Sequence, residues 1–452
     1  MVIGPRGKSY AGTGKYTVVM TRDSKRREFL AAIGTAGIIG VAGCSGGGGG
    51  SNDTGGGGGT SGGGGSGTTS GGGGGNVDGR TVKMGAIMAL SGTLADLGKP
   101  IRDAAILPPK QLKGETAFTF DVQVEDGGTS PSQGISAAQT LTNAGYPSVN
   151  GPLSSGVNIP VCKQVLISSG VVGCSPSSTT PKLTDLNDNG YVYRTAPSDA
   201  LQGQVVAQLS AKRVGAQKAS VMALNNDYGQ ALADSFVSSF EGEVTANVAI
   251  SKNQASYTSK LNEALSGNPG AMVLICYPGS GVQIFRDFYS NFDTDTKVVV
   301  TDGLQSPTLQ KKVGTRLSNV IGSVPAASGP GREAFNKLYR DEYGRKPGAF
   351  NAHAYDATAV LFLANIAAGE NSGSGVQKNM SVVANPKGKQ FNPNTLPDAV
   401  NAVASGEQIN YQGASSSVNF DENGDMKTVS YDVFKFAKNG SIKVVDTIKF
   451  SG

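Results

Sequence analysis

The sequence predicts an α/β protein built from doubly wound parallel sheets, arranged as two lobes. Three observations predict it. From Arg80 onward, short apolar runs alternate with helix-like stretches, the pattern of strands buried on both faces of a parallel sheet. Many of these runs end in Gly, Ser, Thr, Asp or Pro, small or polar residues suited to the strand ends beyond which open α/β sheets bind ligands. The 377 residues that follow Gly75 are enough for two lobes at roughly 150 residues per domain.

The chain opens with residues 1–19, which fit no part of an export signal; Met20 is the expected true start, and the preceding residues an over-extended gene model. Ser24-Lys25-Arg26-Arg27-Glu28-Phe29-Leu30 then precedes an apolar run from Ala31 to Ala42, the arrangement of a twin-arginine signal. That run is about a dozen residues, short of the roughly 20 that span a bilayer. It ends Val41-Ala42-Gly43-Cys44, which is similar to a lipoprotein cleavage box. Residues 20–44 are therefore read as a lipoprotein signal, with Cys44 lipidated and anchoring the protein to the outer face of the cell membrane. From Ser45 to Gly75, 20 of 31 residues are Gly and the rest Ser, Thr, Asn or Asp. Nothing in that stretch can repay its ordering entropy, so residues 45–79 read as a flexible tether. Its r.m.s. reach is roughly 30 Å.

In the folded part the strand-like runs are Val82–Leu90, Phe118–Asp126, Tyr146–Pro152, Gly170–Pro176, Lys218–Leu224, Ala271–Pro278, Val298–Gly303 and Asn319–Pro325. Helix-like stretches between them include Ser132–Asn143, Tyr228–Glu241 and Tyr257–Ser266. The end of the chain changes character. Ser415–Asp421, Thr428–Phe436 and Ser441–Phe450 read as three strands, joined at Asn423-Gly424 and Asn439-Gly440, because Asn-Gly between alternating runs signals a hairpin.

Charge and cysteine usage narrow the function. The net charge of +5 arises within residues 1–43; the remainder holds 32 basic and 32 acidic residues. No basic surface for nucleic acid is indicated. Cys44, Cys162, Cys174 and Cys276 lack zinc-ligand spacing, and His353 is the one histidine, so neither a metal site nor any other cofactor is expected. His353 reads as a partly buried structural residue in an apolar helix, with no nucleophile elbow to serve. Cys162 and Cys174 are able to pair outside the cytoplasm, but sequence does not fix their geometry.

A series of motifs resembles one family in order. Leu90-Ser91-Gly92 with Gly98 comes first, then Val124-Glu125-Asp126, Gly151-Pro152-Leu153-Ser154-Ser155 and Ser175-Pro176-Ser177-Ser178-Thr179. Arg194-Thr195-Ala196-Pro197-Ser198-Asp199 with Gln202-Gly203, Asp227-Tyr228-Gly229 and Thr301-Asp302-Gly303 follow. Tyr355-Asp356-Ala357 and Phe420-Asp421-Glu422-Asn423-Gly424-Asp425 complete it. From about Arg80 to Phe450 the chain is similar to the leucine/isoleucine/valine-binding protein family, type I periplasmic binding proteins of ATP-binding-cassette importers. The resemblance implies two lobes joined by a three-crossover hinge, with lobe 1 at 80–199 plus 326–412 and lobe 2 at 200–325 plus 413–452. It implies a monomeric, non-enzymatic binder that hands a small ligand, an amino acid by expectation, to a membrane permease. A ligand sensor of the same fold is the alternative function. Amides, urea and aromatic acids are alternative ligands.

The resemblance also implies contacts. Ser155 opens a predicted helix, Gly156–Ser168; taken alone it reads as that helix's cap, whereas the family places a carboxylate-binding serine there. Ser177 and Thr179 lie in a polar turn, and by resemblance meet the ligand ammonium and carboxylate. Asp302, otherwise a turn residue before Gly303, matches the acidic residue that faces the ammonium. Tyr228 and Tyr277 match aromatic positions that close over the ligand, or else pack as core. Leu97 stands where branched-chain binders often carry an aromatic residue, so the pocket wall is expected to differ.

Overall fold

A computed structural model describes residues 79–293, 295–385 and 387–451. The predicted leader, Cys44 and nearly all of the tether lie outside the described residues.

The first sheet is formed by β1 (Thr81–Met88), β2 (Thr119–Asp126), β3 (Ser148–Asn150), β4 (Val172–Ser175) and β5 (Val192–Arg194), in the order β2-β1-β3-β4-β5, all parallel. Val82, Met84 and Ala86 of β1 are completely buried, as befits a strand covered on both faces. Helices α1 (Ala95–Ala105), α2 (Leu107–Leu112), α3 (Pro131–Asn143) and α4 (Ser155–Val161) connect these strands. α3 carries Pro131 at its first position, where the missing N–H costs nothing. α4 passes directly into a wider helical turn, Cys162–Leu166.

The second sheet takes β6 (Lys218–Leu224), β7 (Glu243–Ile250), β8 (Ala271–Ile275), β9 (Lys297–Val300) and β10 (Val320–Pro325), parallel throughout. Its helices are α5 (Asp199–Gln208), α6 (Asp227–Ser239), α7 (Thr258–Leu265), α8 (Pro278–Asn291) and α9 (Leu309–Val313). The chain then returns to the first lobe as α10 (Arg332–Tyr343), α11 (Asn351–Ala368) and α12 (Gly373–Ala384), with a two-stranded sheet of β11 (Lys389–Phe391) and β12 (Ile409–Tyr411) flanking α13 (Leu396–Ala404). Every residue of α11 from Asn351 to Ile366 is buried, which fits a helix apolar on all sides and enclosed by neighbours. Finally β13 (Thr428–Phe436) pairs antiparallel with β10, and β14 (Ile442–Ser451) with β13, closing the order β14-β13-β10-β9-β8-β6-β7.

The molecule is thus a type I periplasmic-binding-protein fold, two doubly wound lobes joined by crossovers near Thr195–Ser198, after Pro325 and before Thr428. One expected strand does not form. Ser415–Asp421 makes only an isolated bridge, Phe420 to Met426. Its backbone is spent elsewhere: the amides of Ala414 and Ser415 donate to Asp356 at 2.9 and 2.7 Å. Val418 adopts a positive φ of 38°, which ends extended pairing. The loop is held to the first lobe by Asp425, which accepts from Arg194 Nε and Nη2 at 2.5 and 2.7 Å. The chain therefore rejoins the second sheet only at β13.

Candidate functional site

The carboxyl ends of both sheets face one narrow cleft. It is lined from the first lobe by Leu94, Leu97, Ile101, Leu153, Ser155, Ser177 and Phe350, and from the second by Tyr228, Tyr277, Asp302 and Gly303. Six of the seven expected ligand-contacting residues thus meet at one place. The seventh, Thr179, is buried in the same loop, two residues after Ser177.

Each is placed by local chemistry. Gly98 lets α1 sit against the end of β1: a Cβ there would lie 1.9 Å from the Ala89 carbonyl oxygen. That close approach puts Leu97 and Ile101, one turn apart, on the apolar wall. Ser154, not Ser155, is the N-cap of α4, and its side chain makes no cap bond. Ser155 is the first helical residue, where backbone N–H groups have no intrahelical acceptor. Its hydroxyl accepts from Thr180 N at 3.4 Å. The Ser177 hydroxyl donates to the Leu153 carbonyl at 2.9 Å, pinning the loop after β4 to the one after β3.

From the second lobe, Tyr228 and Tyr277 stack with centroids 5.4 Å apart and planes 9° from parallel. The Tyr228 hydroxyl lies 2.7 Å from Thr301 Oγ1 and donates to Asp302 Oδ1 at 3.1 Å. Ser154 and Asn226 face the Tyr277 hydroxyl, and burial pushes the pKa of both tyrosines upward.

Asp199, which closes the Arg194–Asp199 motif and for which no ligand contact was expected, is buried beside the cleft. It is fully buried and neither carboxylate oxygen has a hydrogen-bond partner. Thr179 Oγ1, also without a partner, is the polar group nearest to it that opposes the rise of its pKa, and Gln202 Oε1 is likewise unpartnered. The Asp199 backbone N–H donates to the Thr179 carbonyl at 2.7 Å, so loop and helix start are locked together. Burial first, then the neighbouring Asp302, pushes the Asp199 pKa well above the usual carboxylate range. Burial likewise pushes Asp302 up to about 6, opposed by Gln202 and Tyr228. Arg194, the buried cation nearby, is already held by Asp425. The signal that could have found Asp199 was weak, because an acidic residue after Ser198 reads as ordinary first-turn helix chemistry.

The cleft holds one buried carboxylate, Asp302, the first residue of α4 and an apolar wall, with a second carboxylate, Asp199, buried beside Asp302. Burying charge without a partner is costly, so the arrangement suits a ligand that brings a cation for the carboxylates and an anion for the helix start. His353 stands apart: burial lowers its pKa to about 3, its Nδ1 is unpartnered, and its carbonyl accepts from Thr195 Oγ1 at 2.9 Å. Cys162, Cys174 and Cys276 are buried free thiols, so the pairing of Cys162 with Cys174 does not occur. Among the described residues no cluster suits a metal ion, and no helix is long and apolar enough to cross a membrane.

A family model described as periplasmic binding protein matches residues 81–394. The substrate-binding protein BasB of a chemotactic signal transduction system in Halobacterium salinarum is 23% identical over 352 residues, 75% of this chain and 83% of its own. The Leu/Ile/Val-binding protein BraC3 of Rhizobium johnstonii is 26% identical over 336 residues, 72% of this chain and 88% of its own. Among solved structures, the leucine-binding protein LivK of Thermotoga maritima superposes with a TM-score of 0.68 at 23% identity, over 81% of this chain and 98% of that one.

Proposed function

Because the chain belongs to the periplasmic binding protein family, whose members are extracytoplasmic solute-binding proteins and not enzymes, we propose that it captures a zwitterionic amino acid with an apolar, branched-chain side chain and delivers it to the permease of an ATP-binding-cassette importer. The observation that carries this reading is the buried Asp302 sharing the cleft with Ser155 at the start of α4, with the unpartnered Asp199 beside Asp302. The ligand ammonium supplies the missing positive charge, and its carboxylate meets Ser155 and Thr179. Leu94, Leu97, Ile101 and Phe350 receive the side chain. Leu97 widens that wall relative to an aromatic residue and favours a bulkier aliphatic group. An aromatic acid, an amide or urea would leave both carboxylates without a cation. The protein works as a monomer, held to the outer face of the cell membrane by lipid on Cys44 at the head of the Gly-rich segment. The test is calorimetry of the purified protein against leucine, its deaminated acid and its amide, with mass spectrometry of whatever ligand is retained. Tight binding of leucine with much weaker binding of the other two is expected; preference for the deaminated acid would reject the reading.

A second reading, a sensor docking to a membrane receptor, is favoured by the likeness to BasB. Deleting the gene separates the two: loss of uptake supports transport, whereas loss of chemotaxis with uptake intact supports sensing.

A further inference from the structure

Around the rim of the cleft the two lobes touch through groups that do not line the ligand pocket. The Gly279 N–H of α8 donates to the Thr93 carbonyl at 3.1 Å. Lys182 Nζ of the first lobe meets Asp227 Oδ1 of the second at 2.5 Å. In the opposite direction, Lys252 Nζ of the second lobe donates to the Thr129 carbonyl at 3.0 Å, and Lys312 pairs with Asp96. Each lysine thus reaches across the cleft to an acceptor on the other lobe. Gly279 sits where a side chain would be crowded: a Cβ would lie 3.0 Å from Thr93 Cα and 3.2 Å from its Cβ and Cγ2. Its φ is not left-handed, so the backbone itself would accept alanine. The three nearest atoms all belong to Thr93 of the opposite lobe, so the crowding eases when the lobes part.

We propose that these contacts form a latch that sets ligand affinity from outside the pocket by stabilising the closed lobes, with Gly279 kept free of a side chain for that closure. The proposal rests on the cleft being the ligand site. A protein whose binding-competent form is only partly populated binds its ligand more weakly in proportion to that population. Residues that bias closure therefore scale every ligand's affinity alike, whereas pocket residues change one ligand against another. The two ion pairs are part-exposed, with side-chain exposures from 28% to 59%. Each is therefore worth about 1.5- to 5-fold in affinity, and less at high salt.

The experiment measures Kd by calorimetry for several amino acids in the wild type, Gly279→Ala, Gly279→Val, Lys182→Asp, Asp227→Lys and the double swap. Expected are a common weakening factor across ligands for each Gly279 variant, larger for valine, with unchanged thermal stability of the ligand-free protein. Each single charge reversal weakens all ligands, and the double swap restores them. Wild-type affinity falls with salt, and falls less in Lys182→Asp. Factors that differ between ligands, or Gly279 variants with wild-type affinity, overturn the latch. If no amino acid binds the wild type, the functional reading fails and the latch is judged by scattering. Ligand-free wild type should then be more compact in dilute buffer than in molar salt, with Gly279→Val extended in both. Equal radii of gyration for the two proteins overturn the latch independently.

Discussion

The Tyr228 hydroxyl donates to Asp302 Oδ1 at 3.1 Å, holding the carboxylate toward the cleft. Asp302→Asn preserves shape and removes charge. Hydrogen bonds to charged groups contribute about 1.5–3 kcal/mol, so amino-acid affinity should fall roughly 10- to 150-fold. The deaminated acid should lose much less, or gain. Ser155→Ala should weaken every carboxylate ligand, aminated or not. Calorimetry of both variants against an amino acid, its deaminated acid and its amide reads the difference; equal losses for all three in Asp302→Asn would make that residue structural.

The same carboxylates predict a pH dependence. Burial holds Asp302 at about 6 and Asp199 above the usual range. An ammonium is attracted to their ionised forms, so amino-acid affinity should rise between about pH 5 and pH 8, while that of the deaminated acid stays level or falls. For the ligand-free protein the sign reverses. Both folded pKa values lie above the unfolded one, so between about pH 4 and 6 the native state binds more protons and stability falls as pH rises. Thermal melts across that window, with and without leucine, check both trends; a flat affinity profile would count against ionised carboxylates at the site.

Arg194 is 1% exposed and its guanidinium is satisfied by Asp425, by the Thr180 carbonyl at 2.8 Å and by Thr184 Oγ1 at 2.9 Å. Asp425→Ala would strand that charge in the interior. Breaking one side of a buried pair typically costs about 3–5 kcal/mol, so the variant should melt well below wild type in calorimetric scans. Arg194→Met with Asp425→Leu should recover much of the loss.

For membrane attachment, Cys44→Ala should release the protein from membranes while leaving ligand affinity intact. Replacing Arg26 and Arg27 by Lys should block export of the folded protein. Fractionation with immunodetection checks both, and a Cys44→Ala protein still bound to membranes would place the anchor elsewhere.

The legible parts of the fold were those where burial on both faces writes an uninterrupted apolar run. Lys218–Leu224 matches β6 residue for residue; Thr428–Phe436, an alternating run bounded by Asn-Gly turns, matches β13 in the same way. β7, whose faces alternate in burial, is too polar to stand out. Ser415–Asp421 misled because its alternation is that of a strand, while its amides are claimed by Asp356, a carboxylate some 60 residues earlier in the chain. In the cleft, the expectations for Ser155 and Asp302 rested on motif resemblance, with turn or cap chemistry the competing local reading. Asp199 escaped because its role depends on what fails to reach it, and no local pattern records the absence of a partner.

The burial of the three thiols has a practical side. Burial pushes Cys162 to about 12 and raises Cys174 and Cys276 as well, so few thiolates are present at neutral pH and none faces reagent. Maleimide chemistry on the folded domain should therefore ignore the native cysteines. A single cysteine at an exposed position such as Val382, 54% accessible on α12, would therefore carry a dye alone, without any native cysteine of the folded domain being removed.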